Sequence, residues 1–220
     1  MTLESGMRFA ALETSSDWCS VALWVDGEIR ALERRVPNRH SEYALPMLES
    51  LTGNAGRLDA IAFGAGPGSF TGLRIACGLA QGLAFAHGLP VLGVSTLEAM
   101  AEEAGAPRVV ACIDARMREV YYAALEKRER RWHEVIAAQC VAPAEAPRAP
   151  GEGWVGAGNG FAAYGDFGLR KVFPEVHPTA AAVARLAAPR LAAGEGVDAA
   201  LAMPLYLRDK VALTLEEQRR

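Results

Sequence analysis

The sequence predicts an α/β protein of two lobes, each a mixed β-sheet covered by helices, and three observations carry that prediction. Up to Gly105 the strand-like runs come first as a close-set trio and then alternate with helical runs, the order of a mixed sheet with helices on its faces. From Arg108 the opening pattern recurs: Glu13 is followed eight residues on by Val21, and Asp114 eight residues on by Tyr122, each acid at a tip between two strands. The 220 residues, 51% hydrophobic and 22% charged, suit a globular chain long enough for two such lobes. The lobes are expected at 1–105 and 106–220.

In the first lobe, residues 1–6 precede the patterned sequence and read as an added or frayed start. "RFAALETS" has strand character, and "SVALWV" and "EIRALERR" flank Asp26-Gly27, a pair that closes a two-residue hairpin because both positions tolerate positive φ. After Asn38, Leu45, Leu48 and Leu51 fall on one helical face behind Ser41 as N-cap, with Pro46 expected to bend or delay the helix. "LDAIAFGAG" is a strand entering a glycine loop, and a helix runs from that loop to His87-Gly88. "PVLGVS" is the next strand, and Ser95-Thr96-Leu97-Glu98 forms a capping box for "TLEAMAEEAG".

The second lobe opens with "RVVACIDARMREVYYAALEKRERRW", read as a strand pair. "VAPAEAPRAPGEG" is a linker by its proline and glycine content, and "WVGAGNGFAAYG" is a strand meeting another glycine turn. "HPTAAAVARLAAPRLAAGEG" is a helix with Pro178 near its start and Pro189 late within it. "MPLYLRDKVA" is extended, and the charged "EEQRR" end is expected to be loose.

The formal net charge of −3 argues against a protein that grips nucleic acid on its own, since that binding depends on Lys and Arg neutralising phosphates. Cys19, Cys77, Cys112 and Cys140 form no C-x-x-C pair, which points to reduced thiols and the cytoplasm. No apolar run approaches the ~20 residues that span a bilayer, and no signal-peptide order opens the chain, so membrane and secretion readings fall away.

The stretch "FGAGPGSFTGLRIACGLAQGLAFAHG", Phe63 to Gly88, resembles a phosphate-binding loop with its helix. It has no lysine for a Walker loop, and Ser69 stands where the dinucleotide fingerprint needs its third glycine. Gly66, Gly68, Ser69 and Thr71 remain as weak anion-binding candidates. The simpler reading makes Ser69 or Thr71 a helix cap and the glycines a means of turning the backbone.

The helix is apolar almost all round, so both of its sides need cover. Gly72, Ala76, Ala80 and Ala84 form one row of small residues, and Gly78, Gly82 and Ala86 a second. Each helical glycine costs about 1 kcal/mol relative to alanine, a loss that close approach by another element offsets.

"GPGSFTGLRI" (Gly66 to Ile75), "CSVAL" (Cys19 to Leu23), "GVSTLEAMA" (Gly93 to Ala101), "IDARMREVYYA" (Ile113 to Ala123) and "PLYLR" (Pro204 to Arg208) together resemble the bacterial TsaB (YeaZ) family, in order and over nearly the whole chain from Met7. The resemblance implies an actin-like ATPase fold of two ribonuclease-H-like lobes. It also implies a part in forming threonylcarbamoyladenosine on tRNA, as the non-catalytic partner of TsaD, the related subunit that carries the metal and performs the transfer. A TsaE-like ATPase joins that assembly, tRNA is met through the complex, and a homodimer is a possible alternative pairing. The expected interface is the glycine-loop helix: Thr71, Gly72, Leu73, Arg74, Ala76 and Cys77, continuing through Ala80, Gln81 and Ala84. Arg74→Glu or Ala76→Trp is therefore expected to weaken pairing without unfolding the lobe.

No catalytic residue, metal ligand or cofactor is expected in this chain. His40, His87, His133 and His177 show no H-x-x-x-H spacing, and each reads as a solvated side chain. Two rival readings stand beside this one: an actin-like ATPase or phosphotransferase using Glu13 and Asp114, and a metallopeptidase. Neither "ETSS" nor "DAR" offers the glycine that would admit a phosphate, so Glu13 and Asp114 are expected to be structural, with Asp114 paired to Arg116. Lys127, Arg128, Arg130 and Arg131, interleaved with Glu126 and Glu129, read as a solvated hairpin tip, with contact to tRNA as the lesser alternative.

Overall fold

A computed structural model describes residues 6–53 and 56–208. The first sheet holds β1 (Arg8–Glu13), β2 (Trp18–Val25), β3 (Glu28–Arg35), β4 (Ala60–Gly66) and β5 (Val91–Ser95) in the order β3-β2-β1-β4-β5. β1, β2 and β3 run antiparallel, whereas β1, β4 and β5 are parallel. Both faces of β1 and β4 are covered, which is why "FAALE" and "AIAFGAG" are continuous apolar or small runs, interrupted at the tip by Glu13. β3 is one of the two edge strands, and its Arg and Glu residues keep that edge wet. Asp26 and Gly27 have φ of 53° and 94°, giving the tight hairpin turn expected of them.

The second sheet repeats the plan with β6 (Arg108–Arg116), β7 (Glu119–Arg128), β8 (Arg131–Val141), β9 (Val155–Ala157) and β10 (Val172–Phe173) in the order β10-β9-β6-β7-β8. Again the first three strands are antiparallel, and the last two are parallel to the first. The echo between Glu13 and Asp114 is therefore a real correspondence: Glu13 ends the first strand of its sheet, and Asp114 stands two residues before the end of the first strand of the other. The molecule is thus built on two five-stranded mixed sheets of matching strand order, as expected of two similar lobes.

One face of the first sheet is covered by α1 (His40–Thr52) and α2 (Phe70–His87), through Leu48, Ala76, Cys77, Ala80 and Ala84. The other face is covered by α5 (Ala180–Ala192), which belongs by sequence to the second half of the chain yet lays Ala180, Val183, Ala184 and Ala187 against Phe9, Ala11, Trp24 and Leu92. Alanines on α5 let it sit close to the sheet. α3 (Thr96–Ala104) joins the lobes: Ala99 lies in the core beneath α5, while Leu97, Met100 and Ala101 pack on Val109, Ala123 and Leu125 of the second sheet. Ser95 accepts a bond from the Glu98 amide and caps α3, as expected. A fifth short helix, α4 (Gly160–Tyr164), follows β9.

One helix detail differs from expectation: Arg39, not Ser41, occupies the N-cap of α1, and its guanidinium reaches forward to Glu42. Pro46 lies inside α1, so of the two effects expected of it, it does not delay the helix. The "EEQRR" end lies outside the described residues, within which no helix is long and apolar enough to cross a membrane.

Candidate functional site

The glycine loop is shaped by its own lobe. A Cβ on Gly64 would stand 1.8 Å from Oε2 of Glu13, one on Gly68 2.6 Å from Cβ of Ser15, and one on Gly72 1.9 Å from the carbonyl oxygen of Thr14. These glycines let β4, the loop and the first turn of α2 press against the segment Glu13-Thr14-Ser15 at the end of β1. Polar bonds hold the contact. The Ser69 amide donates to the Ser15 carbonyl at 2.8 Å, and the Thr14 hydroxyl donates to the Gly72 carbonyl at 2.7 Å. Ser69 caps α2 by accepting from the Gly72 amide. Of the four anion candidates, Gly66, Gly68 and Ser69 thus serve loop packing and capping. Gly66, at φ 119°, also makes room for the Leu205 carbonyl, which a Cβ would meet at 2.6 Å. Thr71 is exposed on the first turn of α2.

A cleft of about 960 Å³ separates the lobes, lined on one side by Ser15, His40 and Thr71 and on the other by Asp114, Arg116 and Asn159. The two acids of the rival enzymatic reading differ in state. Glu13 is fully buried; burial pushes its carboxyl pKa up, although bonds from Ser15 oppose the shift. An acid that burial favours in its neutral form is a poor magnesium ligand. Asp114 is held by its neighbours: its amide donates to Asn159, its carboxylate accepts from the Arg116 amide and the Tyr164 hydroxyl, and Arg116 pairs with it at 3.2 Å. That is the structural pairing expected of Asp114.

The histidines depart from the solvated reading in two cases. His40 is buried at the start of α1, and His177 stacks on Trp18 with ring centroids 4.6 Å apart. His87, at the end of α2, and His133, on β8, are exposed. Among the described residues no three His, Cys, Asp or Glu side chains are grouped to hold a metal ion. At the basic hairpin, Glu129 and Arg130 form the tip, Arg128 pairs with Glu126, and Lys127 turns inward to Glu102 at 2.7 Å.

The two small-residue rows of α2 have opposite environments. Gly72, Leu73, Ala76, Cys77, Ala80 and Ala84, six of the expected interface residues, are buried within the lobe. This corrects the expectation that this row meets a neighbour: the sheet and the Thr14 backbone already fill the space beside it. Thr71 and Arg74 face outward, and Gln81 is half-buried with its amide donating to the Ala202 carbonyl. The uncovered face continues through Gly78 and Gly82, where a Cβ would meet nothing within 4 Å beyond the adjoining backbone of the helix, to Phe85, which is 83% exposed.

Beside this face lies a strap, residues 201–208, extended from Ala202 onward as the sequence predicts for "MPLYLR". Ala202 accepts from Gln81, and the Leu205 amide donates to the Ala65 carbonyl at 2.7 Å. Arg74 sits 3.9 Å above the Phe70 ring and donates to the Tyr206 hydroxyl. Leu201 and Met203 are 69% and 72% exposed. With Phe70, Phe85 and Tyr206 they place, among the described residues, most of the large exposed apolar side chains on α2 and the strap.

The chain resembles known proteins along most of its length. Residues 34–214 match the family model described as TsaD: tRNA N6-adenosine threonylcarbamoyltransferase. The tRNA threonylcarbamoyladenosine biosynthesis protein TsaB of Escherichia coli (strain K12) is 39% identical over 94% of this chain and 96% of its own length. The protein of the same name from Haemophilus influenzae is 37% identical over 93% and 95%. Among solved structures, YeaZ from Pseudomonas aeruginosa superposes with a TM-score of 0.85 at 39% identity, covering 91% of this chain and all of the other.

Proposed function

Because the chain belongs to the TsaB (YeaZ) family, we propose that it is the non-catalytic subunit of the assembly that forms threonylcarbamoyladenosine on tRNA, and that it pairs with a TsaD-like catalytic subunit. The outer face of α2 is the docking element: Thr71, Arg74, Gly78, Gly82 and Phe85, with Gln81 at its margin. The observation that carries this reading is the exposure of Phe85 beside two glycines with open space above them, since a partner helix can approach a glycine row closely and bury the aromatic ring. The non-catalytic role is supported by the packing of the glycine loop on Thr14 and Ser15 and by the burial of Glu13. In this reading a TsaE-like ATPase joins the pair, tRNA is met through the complex, the reaction is cytoplasmic, and a second copy of the chain competes for the same face when the partner is absent. The lobe division proposed at residue 105 leaves α2 and its loop wholly in the first lobe.

The test is reconstitution. Purified chain, TsaD-like and TsaE-like subunits and tRNA are combined, and modified adenosine is measured with each component omitted in turn. Product is expected only from the full mixture; modification by this chain alone, or undiminished modification without it, overturns the reading.

A further inference from the structure

The strap ends in a side chain that crosses to the other lobe. Arg208 pairs with Glu119, donates to the Arg116 carbonyl at 3.3 Å, and places Nη1 3.6 Å from the sulfur of Met117. Its guanidinium also lies 6.0 Å from the centre of the Tyr121 ring. These groups belong to the β6–β7 turn and the start of β7, and Arg116, Met117 and Arg118 have φ of 63°, 54° and 60°. Three successive side-chain-bearing residues in the left-handed region are a costly conformation, which persists where surrounding contacts impose it. Arg208 supplies such contacts from outside the turn.

The other end of the same strap is fixed to the first lobe. Leu205 bonds to Ala65, its carbonyl fills the space over Gly66, and Tyr206 bonds to Arg74 of α2. Leu205, Tyr206, Leu207 and Arg208 all line the cleft between the lobes. We propose that this segment is an interlobe clasp: Arg208 locks the β6–β7 turn of the second lobe to the glycine loop and α2 of the first, so that the mouth of the cleft is held at a set width. The clasp shares Arg74 with the docking face, which gives an occupant of α2 a mechanical route to the second lobe. The clasp itself does not depend on the identity of that occupant.

Hydrogen exchange on the isolated full chain tests the clasp. In Arg208→Ala, exchange is expected to quicken by about tenfold both at the amides of residues 116–120 and at the Leu205 amide, because a charge-assisted bond holding both ends is lost. Glu119→Gln, which weakens the same bond from the opposite side, should quicken the same two regions. Arg185→Ala, which breaks ion pairs from α5 to Glu102 and Glu103 of α3, away from the cleft, should leave them unchanged. Unaltered exchange in both clasp variants, or a loosened turn with the Leu205 amide still protected, overturns the proposal.

Discussion

Gly72 and Thr14 touch backbone to backbone: a Cβ on Gly72 would lie 1.9 Å from the Thr14 carbonyl oxygen, while the Thr14 hydroxyl donates to the Gly72 carbonyl. Neither atom can withdraw without breaking β1 or α2. Gly72→Ala is therefore expected to destabilise the chain by more than ~2 kcal/mol, in the range of overpacked cores. Gly78→Ala, with open space around it, should stabilise by roughly 0.5–1 kcal/mol through helix propensity. Thermal unfolding of the two variants checks the pair; a Gly72→Ala variant as stable as the parent contradicts the contact.

The outer face of α2 gives a second contrast. Arg74→Glu and Phe85→Asp alter exposed side chains, and both should weaken pairing with a TsaD-like subunit with little change in melting temperature. Ala76→Trp, expected from the sequence to act in the same way, instead places an indole in a fully buried position beneath the helix and should unfold the lobe. Calorimetric titration and thermal melts of all three variants separate the effects. Full-strength binding by both Arg74→Glu and Phe85→Asp argues against this face.

The same comparison explains what the sequence could and could not reveal. Local chemistry was legible: Asp26-Gly27 closes its hairpin and Ser95 caps α3, because those residues act on their own backbone. The duplication was legible too, since a strand pair with an acid at its tip leaves a repeated pattern. The direction of α2 was not. Gly72 and Gly78 are the same letter in one apolar helix, and only the chain that comes to lie beside each decides which is packed and which is open. Long-range returns were also hidden. α5 and the strap are ordinary segments by composition, and their contacts with Phe9 and Arg74 span more than a hundred residues.

The thiols supply a prediction independent of any partner. Burial, with the nearby Asp114 charge, pushes the Cys112 thiol up to about 12, and burial with Glu13 pushes Cys19 up to about 11. Both should stay unmodified by iodoacetamide at pH 8 in the native chain and react once it is unfolded, because the thiolate is the reactive form. Half-buried Cys140 should be the first to label. Mass spectrometry of digested, timed samples reads the order, and early modification of Cys112 contradicts the packing around β6.

Glu13 ties stability to pH. Burial raises its pKa in the folded chain, so the folded state holds the carboxyl proton more tightly than the unfolded state does. The stability this contributes is complete below the unfolded value of 4.5 and is lost as pH rises through the higher folded value. Glu13→Gln cannot ionise, yet it keeps an oxygen to accept from the Ser15 amide, now bonded at 2.6 Å. The variant should therefore melt above the parent at pH 8, with the gap closing toward pH 4, because a neutral side chain no longer meets the cost of burying charge against Gly64. Melting temperatures of both proteins across that range decide the matter. Parallel curves would mean that Glu13 stays ionised in the folded chain with partners that compensate its burial.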